Sequence, residues 1–238
     1  VSRLVLFRHA QASFDAGSAD GLSEAGRAQA RRLGEALARR DERFDEVYHG
    51  PRPRHRGTTR IVGECLAAAG LPWPAAAEWP AFDEHHVDRL LKASDGALLR
   101  HPALVDRARA WNEAPAGDER ERRFWKLFEA IHGLWVGGAP ETDAVESWES
   151  FRRRVRGGID RIRATPGRGR SIAVFTSVGP ITVAIQQALG CDDATAVAMG
   201  WRVGNATATR FVFSGERFTL EAFNESGHLD DPALRTYR

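Results

Sequence analysis

The sequence predicts an α/β fold: a three-layer sandwich with a mostly parallel sheet, helices on both faces, and a helical insertion. Three observations predict it. Short continuous apolar runs, Leu4–Phe7 and Ile172–Phe175, read as strands buried on both faces. Segments with helical spacing stand between and after them, in the order strand, helix, strand, helix. Near the end, Ala208–Phe213 and Phe218–Phe223 flank Ser214-Gly215-Glu216. That is a hairpin signal, and at least one of its strands must run antiparallel to the rest.

Taken in order, Leu4–Phe7 delivers Arg8 and His9 to a strand end, and a loop at Ser13–Gly21 follows. Ser23 caps a helix running to about Arg39, with Ala30, Leu33 and Leu37 as its core stripe. Phe44–Tyr48 reads as a second strand, broken by His49-Gly50-Pro51. A second helix starts near Arg52–Arg56 and places Thr58, Val62, Cys65, Leu66 and Ala69 on one face. It ends at Gly70, with Pro72 beyond. Ala76–Trp79 is extended and precedes Phe82-Asp83-Glu84-His85-His86.

From about 87 to 140 the pattern gives short helices and one longer one, Glu121–Trp135. No Ser/Gly linker isolates this stretch, so it reads as a helical insertion within a single domain spanning 1–238. Glu146–Arg163 is strongly amphipathic, with Trp148, Phe151, Val155, Ile159 and Ile162 on its buried side. Arg152-Arg153-Arg154 fall on the outer side of that helix. Ser171–Phe175 is a buried strand. It runs into Thr176-Ser177-Val178-Gly179-Pro180 and a helix whose start Pro180 marks. Asn224–Arg238 reads as a polar tail.

Bulk properties exclude several classes. A net charge of +2 gives no field for nucleic acid or an anionic membrane. No stretch approaches the roughly 20 apolar residues of a membrane span. The two cysteines, Cys65 and Cys191, make no disulfide framework and no metal motif. With no signal-peptide pattern, the expected location is the cytoplasm.

The chemistry lies at two strand ends, Arg8-His9 and Thr176-Ser177. Loops at the carboxyl ends of parallel strands share one edge of a sheet. Arg52, Arg54 or Arg56 and the acids Asp83 and Glu84 can be brought to the same edge. Imidazole, guanidinium groups, a carboxylic acid and a helix N-terminus suit attack on phosphorus. A histidine with its ordinary pKa of about 6.5 is largely neutral, and so nucleophilic, at pH 7.

These residues resemble a known family, the histidine phosphatase superfamily of phosphoglycerate-mutase-like proteins. Leu4–Gln11 resembles its R-H-G-[EQ] signature. Leu22-Ser23-x-x-Gly26-x-x-Gln29-Ala30 resembles its L-[ST]-x-x-G-x-x-Q-A helix. Val47–Thr58 resembles V-x-S-S-P-L-x-R-A-x-x-T, and Phe82-Asp83-Glu84 the segment with the family's acid. Glu146–Val155 resembles G-E-S-x-x-x-[VF]-x-x-R-V, and Val174–Ile181 resembles V-V-S-H-G-G-x-I.

The resemblance implies a phosphomonoesterase that works through phosphohistidine on His9, with Glu84 as proton donor. It implies Arg8, Arg54, Ser177 and Gln11 as the phosphate-binding residues, with no metal and no cofactor. The partner it implies is a small phosphorylated substrate or phosphate ion.

Three departures stand out. Ala10 replaces glycine, and His49-Gly50 replaces a Ser-Ser pair. Ser177 stands where the family has its second histidine. A charged hydrogen bond is worth roughly 1.5–3 kcal/mol and a neutral one about 0.5–1.5, so the last change predicts a rate loss on the order of tenfold. Serine is also a favoured helix cap, and Ser177 precedes a helix. His85 or His86 reaching the phosphoryl group is one way to restore the missing donor. Two alternatives to the phosphatase stay open. One is a mutase-type phosphotransferase, against which Ser13-Phe14-Asp15 lacks the Trp-Asn of the metabolic mutases. The other is a phosphate-binding protein whose catalysis has lapsed.

Overall fold

The computed structural model describes residues 1–13, 21–90 and 98–237. The loop expected at Ser13–Gly21 thus lies, from 14 to 20, outside the described residues. The chain divides into two compact units, Val1–Glu84 with Arg154–Arg238, and His85–Arg153.

The first unit holds a six-stranded sheet. Its strands are β1 (Ser2–Arg8), β2 (Glu46–His49), β3 (Ala77–Glu78), β4 (Ser171–Thr176), β5 (Ala208–Ser214) and β6 (Arg217–Glu225), in the order β3-β2-β4-β1-β5-β6. Neighbours among β3, β2, β4 and β1 are parallel, whereas β5 is antiparallel to both β1 and β6. The hairpin therefore reverses one strand of this sheet. Arg8 pairs with Thr176 and His49 with Phe175, so β1, β4 and β2 finish side by side.

Alternation along the strands divides their side chains between two faces. Val5, Phe7, Val47, Ala173 and Phe175 pack with Leu33 and Leu37 of α1 (Glu24–Arg39) and with Val62 and Leu66 of α2 (Pro53–Ala68). Phe7 and Phe175 stack at 4.8 Å between ring centroids. Leu4, Leu6, Ile172 and Val174 take the opposite face and are fully buried. On that side α6 (Val178–Leu189) packs against β1 and β6. A fully buried side chain of this kind contributes about 1.5–3 kcal/mol, so a strand apolar on both faces forms a rigid base for its end residues.

Helix ends follow the local chemistry. Ser23 Oγ accepts from Gly26 N–H at 3.0 Å and caps α1. Pro53 sits at the first position of α2, where its missing N–H costs nothing. Residues after Cys191 form α7 (Asp193–Gly200), which the sequence reading did not anticipate. Its cap is Asp192, whose carboxylate accepts from Thr195 N–H at 2.8 Å.

The second unit carries α3 (Val105–Asn112), α4 (Asp118–Val136) and the first turns of α5 (Trp148–Ala164). The helical insertion expected at 87–140 falls within it. Trp135 centres an aromatic cluster with Trp148 at 5.3 Å and Phe151 at 5.8 Å, and its Nε1–H donates to the Glu146 carbonyl at 2.7 Å. His85 belongs to this cluster, 4.8 Å from Trp135. Among the described residues, no helix is long and apolar enough to cross a membrane.

Candidate active site

His9 and Ser177 follow the last residues of β1 and β4 directly. His9 N–H donates to the Thr176 carbonyl at 2.8 Å, and the His9 carbonyl accepts from Asn205 Nδ2 at 3.2 Å. The backbone under the ring is thus fixed on both sides, and the residue is 5% exposed.

The ring's hydrogen bonds define its tautomer. Nδ1 lies 2.7 Å from the Ala10 carbonyl, which can only accept, so Nδ1 carries the proton. Nε2 then holds the lone pair, and it accepts from Arg54 Nε–H at 3.0 Å. Burial pushes the His9 imidazole well below its ordinary pKa, and the charges of Arg54 and Arg8 push it further. The ring is therefore neutral at pH 7, with its remaining lone pair on Nε2, turned to Arg54.

Arg8 is 7% exposed, and burial pulls its guanidinium down to about 10, partly offset by Glu84. Its Nη1 donates to the carbonyls of Val203, at 2.5 Å, and Tyr237, at 3.0 Å. Its Nε is buried and has no hydrogen-bond partner among the described residues. A buried cationic donor without an acceptor costs about 1–3 kcal/mol or more unless an anion satisfies it. Arg8 and Arg54 each depress His9, and Arg54 also depresses Arg8. Two cations that repel each other beside a neutral ring have the chemistry to bind an oxyanion.

The structure separates the three arginines of α2 and its cap. Arg54 faces His9. Arg52 instead pairs with Asp83, its Nε 2.8 Å from Oδ1, and donates to the Glu84 carbonyl at 2.8 Å. Arg56 is exposed. Arg52 thereby ties the start of α2 to the loop that carries Glu84.

Glu84 is held at the N-terminus of α6. The Gly179 N–H donates to both carboxylate oxygens, at 3.1 and 3.2 Å. A positive helix end favours a carboxylate in this position. The loop behind it is fastened by Arg154, whose Nη1 donates to the carbonyls of Pro80, Ala81 and Asp83. This corrects the reading that Arg152-Arg153-Arg154 lie on the outer side of their helix: Arg154 turns toward the loop. Thr176 Oγ1 adds a bond to the Phe82 carbonyl at 2.7 Å.

Gln11 is half-buried and bound to the start of α1. Its side-chain oxygen accepts from Ser23 Oγ–H at 2.7 Å, and its backbone N–H donates to Gln29 Oε1 at 2.7 Å. Ser177 occupies the cap position of α6 but makes no capping bond. Its hydroxyl is instead 2.7 Å from Nε2 of His55.

His55, and the return of the polar tail to the site, were both missed in the sequence. His55 is fully buried in the first turn of α2, its ring centroid 5.6 Å from that of His9. Burial, Arg54 and Arg52 hold its imidazole well below the ordinary range. The signal was present in the unexplained His49-Gly50 pair. A Cβ on Gly50 would stand 2.4 Å from His55 Nδ1, so glycine there makes room for the ring. The tail returns to the site through backbone carbonyls: Tyr237 accepts from Arg8, and Leu234 accepts from Gln29 Nε2 at 2.8 Å.

No group of three or more His, Cys, Asp or Glu side chains among the described residues is placed to hold a metal. No curated protein matches the chain. Solved structures do match it in fold. A phosphoglycerate mutase from Bacillus anthracis is 20% identical, covering 96% of this chain and 95% of its own, at a TM-score of 0.64. A mycobacterial glucosyl-3-phosphoglycerate phosphatase, complexed with VO3, is 22% identical over 95% of this chain and 100% of its own, at 0.59. A putative alpha-ribazole-5'-P phosphatase from Escherichia coli K-12 is 20% identical over 94% and 97%, at 0.61. The family model described as histidine phosphatase superfamily (branch 1) matches residues 4–121 and 89–226. With nearly its whole length matched, the chain belongs to the histidine phosphatase superfamily.

Proposed function

We propose that the protein hydrolyses phosphate monoesters of small molecules through a phosphohistidine on His9. The observation that carries this reading is the tautomer of His9. Nδ1 is committed to a carbonyl, and Nε2 presents its lone pair beside Arg54 and the unpartnered Nε of Arg8.

The steps follow from these positions. A phosphoryl group draws Arg54 from Nε2 onto its own oxygens and satisfies Arg8 Nε. His9 Nε2 attacks phosphorus in line, the bond to the ester oxygen breaks, and Glu84, which takes up a proton from solvent as the phosphate dianion enters beside it, gives that proton to the departing oxygen. Water then attacks phosphorus, Glu84 takes back a proton, and the P–N bond breaks to release phosphate. Arg8 and Arg54 hold the oxygens throughout, where charge builds up. The relatives support the substrate class: the mycobacterial and E. coli proteins are named as phosphatases of small phosphorylated compounds. Gln11 and Ser177 complete the rim and wall of the phosphate pocket in this reading.

A panel of phosphate monoesters, assayed with wild type and His9→Ala, tests it. Turnover by wild type and loss of about three orders of magnitude or more in His9→Ala is expected for removal of a nucleophile. A His9→Ala enzyme with full activity overturns the reading. Running the panel with and without a bisphosphate primer distinguishes hydrolysis from mutase transfer.

A further inference from the structure

We infer that His55 is the second imidazole of this site and acts on the phosphoryl group through the hydroxyl of Ser177. The inference rests on the phosphatase reading above and deepens it by naming the donor that faces the transferred group. His55 enters from the first turn of α2, not from the end of β4.

Four observations converge on this pair. His55 Nε2 and Ser177 Oγ are 2.7 Å apart, and both residues are buried. The His55 ring centroid stands 5.6 Å from that of His9, so the Ser177–His55 pair lies beside the proposed nucleophile. Ser177 is at a helix cap but makes no capping bond of its own and turns its oxygen to the imidazole. Gly50 is shaped around the ring, since a methyl group there would meet both His55 and the Phe82 carbonyl at 2.4–2.5 Å. A core histidine kept only for packing would have both nitrogens satisfied. Here Nδ1 is buried without a hydrogen bond among the described residues, although the Gly50 carbonyl is close enough to favour the charged ring slightly.

The action needs no proton to leave the chain. With a phosphoryl group bound, Ser177 O–H donates to one of its oxygens, and His55 Nε2–H donates to Ser177 Oγ. As negative charge builds on phosphorus, each bond strengthens the other. A dianion beside the ring also offsets the burial and arginine charges that keep His55 neutral at rest. The site thus recovers a chargeable donor although Ser177 carries none. By this account His55 is a positioning residue and Ser177 touches the phosphoryl oxygen.

The test is a double-mutant cycle with a swap. His55→Ala and Ser177→Ala should each lower kcat about tenfold or more with KM changed less than about threefold, and the double variant should be no slower than the slower single. His55→Ala with Ser177→His, which returns an imidazole through the space vacated, should recover at least about fivefold in kcat over His55→Ala. Losses that multiply, kcat of His55→Ala within about twofold of wild type, or no recovery in a folded swap overturn the inference. If His55→Ala fails to fold, His55→Gln against His55→Leu carries the comparison, because only the amide can donate to Ser177. Wild type inactive on every ester would defeat the phosphatase reading instead. His55 is then judged by its ring 15N shifts during titration with inorganic phosphate, where a shift supports its role and no shift refutes it.

Discussion

Gly50→Ala is the substitution whose effect the structure fixes most closely. The added Cβ would lie 2.4 Å from His55 Nδ1, 2.8 Å from its Cε1 and 2.5 Å from the Phe82 carbonyl oxygen. Ordinary contacts begin near 3.4 Å, so about 1 Å must be found on two sides at once. The Phe82 oxygen is held by Thr176 Oγ1 at 2.7 Å, and its loop is tied by Arg154 and Arg52. The imidazole is the softer neighbour, but a 1 Å retreat breaks or misaligns its 2.7 Å bond to Ser177. Overpacking costs about 1–3 kcal/mol and the lost hydrogen bond about 0.5–1.5, a total of roughly 2–4 kcal/mol. For a chain of this size that lowers Tm by about 5–15 °C. Urea denaturation and calorimetry on the full chain measure the first effect, and steady-state kinetics measure the accompanying loss in kcat. A variant within about 0.5 kcal/mol of wild type, with unchanged kcat, would refute the packing argument.

Three further outcomes follow from named contacts. His9, His55 and His228 all have pKa values lowered by burial, so between 6.5 and their folded values the unfolded chain binds more protons. Stability is then complete well above pH 6.5 and falls on acidification, by about 1–3 kcal/mol between pH 6.5 and 5.5 for one to three such groups; a flat urea midpoint across that range would contradict it. Arg154→Ala should leave Tm within a few degrees yet lower kcat at least about tenfold, because the loop positioning Glu84 loses three carbonyl anchors; equal kcat would show the loop is held without it. Glu42→Gln strips one partner from Arg210, a pair about 10% exposed, and should cost roughly 2–4 kcal/mol in urea unfolding, less than a lone pair would because Glu225 also binds Arg210. A change below about 0.5 kcal/mol would show that Glu225 alone suffices.

Much of the fold was legible because its signals are local. Ser23, Pro53 and Gly70 mark helix ends by their own backbone chemistry, and Leu4–Phe7 announces a buried strand by composition alone. What escaped depends on distant partners or weak patterns. In α7 the apolar residues Ala194, Ala196, Val197, Ala198 and Met199 do not keep to one face, and only Asp192 signals a helix. The tail serves the site through the carbonyls of Leu234 and Tyr237, groups every residue has, so no side chain betrays them.

The site was legible in the same uneven way. Arg8, His9, Arg54 and Glu84 stand at fixed places in their segments, and the structure puts Arg54 on His9 and Glu84 on the α6 helix end. His55 stands where the family's segment has alanine after its arginine, a departure whose meaning the segment alone does not show. Its meaning appears only when the fold brings Ser177, 122 residues away, within 2.7 Å. Arg154 was misread because a single helix face does not show what lies against it.

The central claim is that His9 Nε2 bonds to phosphorus during turnover. Rapid acid-free quench of the enzyme with a hydrolysed ester, followed by 31P NMR and mass analysis of peptides, tests it directly. An acid-labile, base-stable phosphoryl group on His9, absent from His9→Ala, is the predicted result. Turnover with no such adduct on His9 under single-turnover conditions, or with the phosphoryl group on another residue, would contradict it.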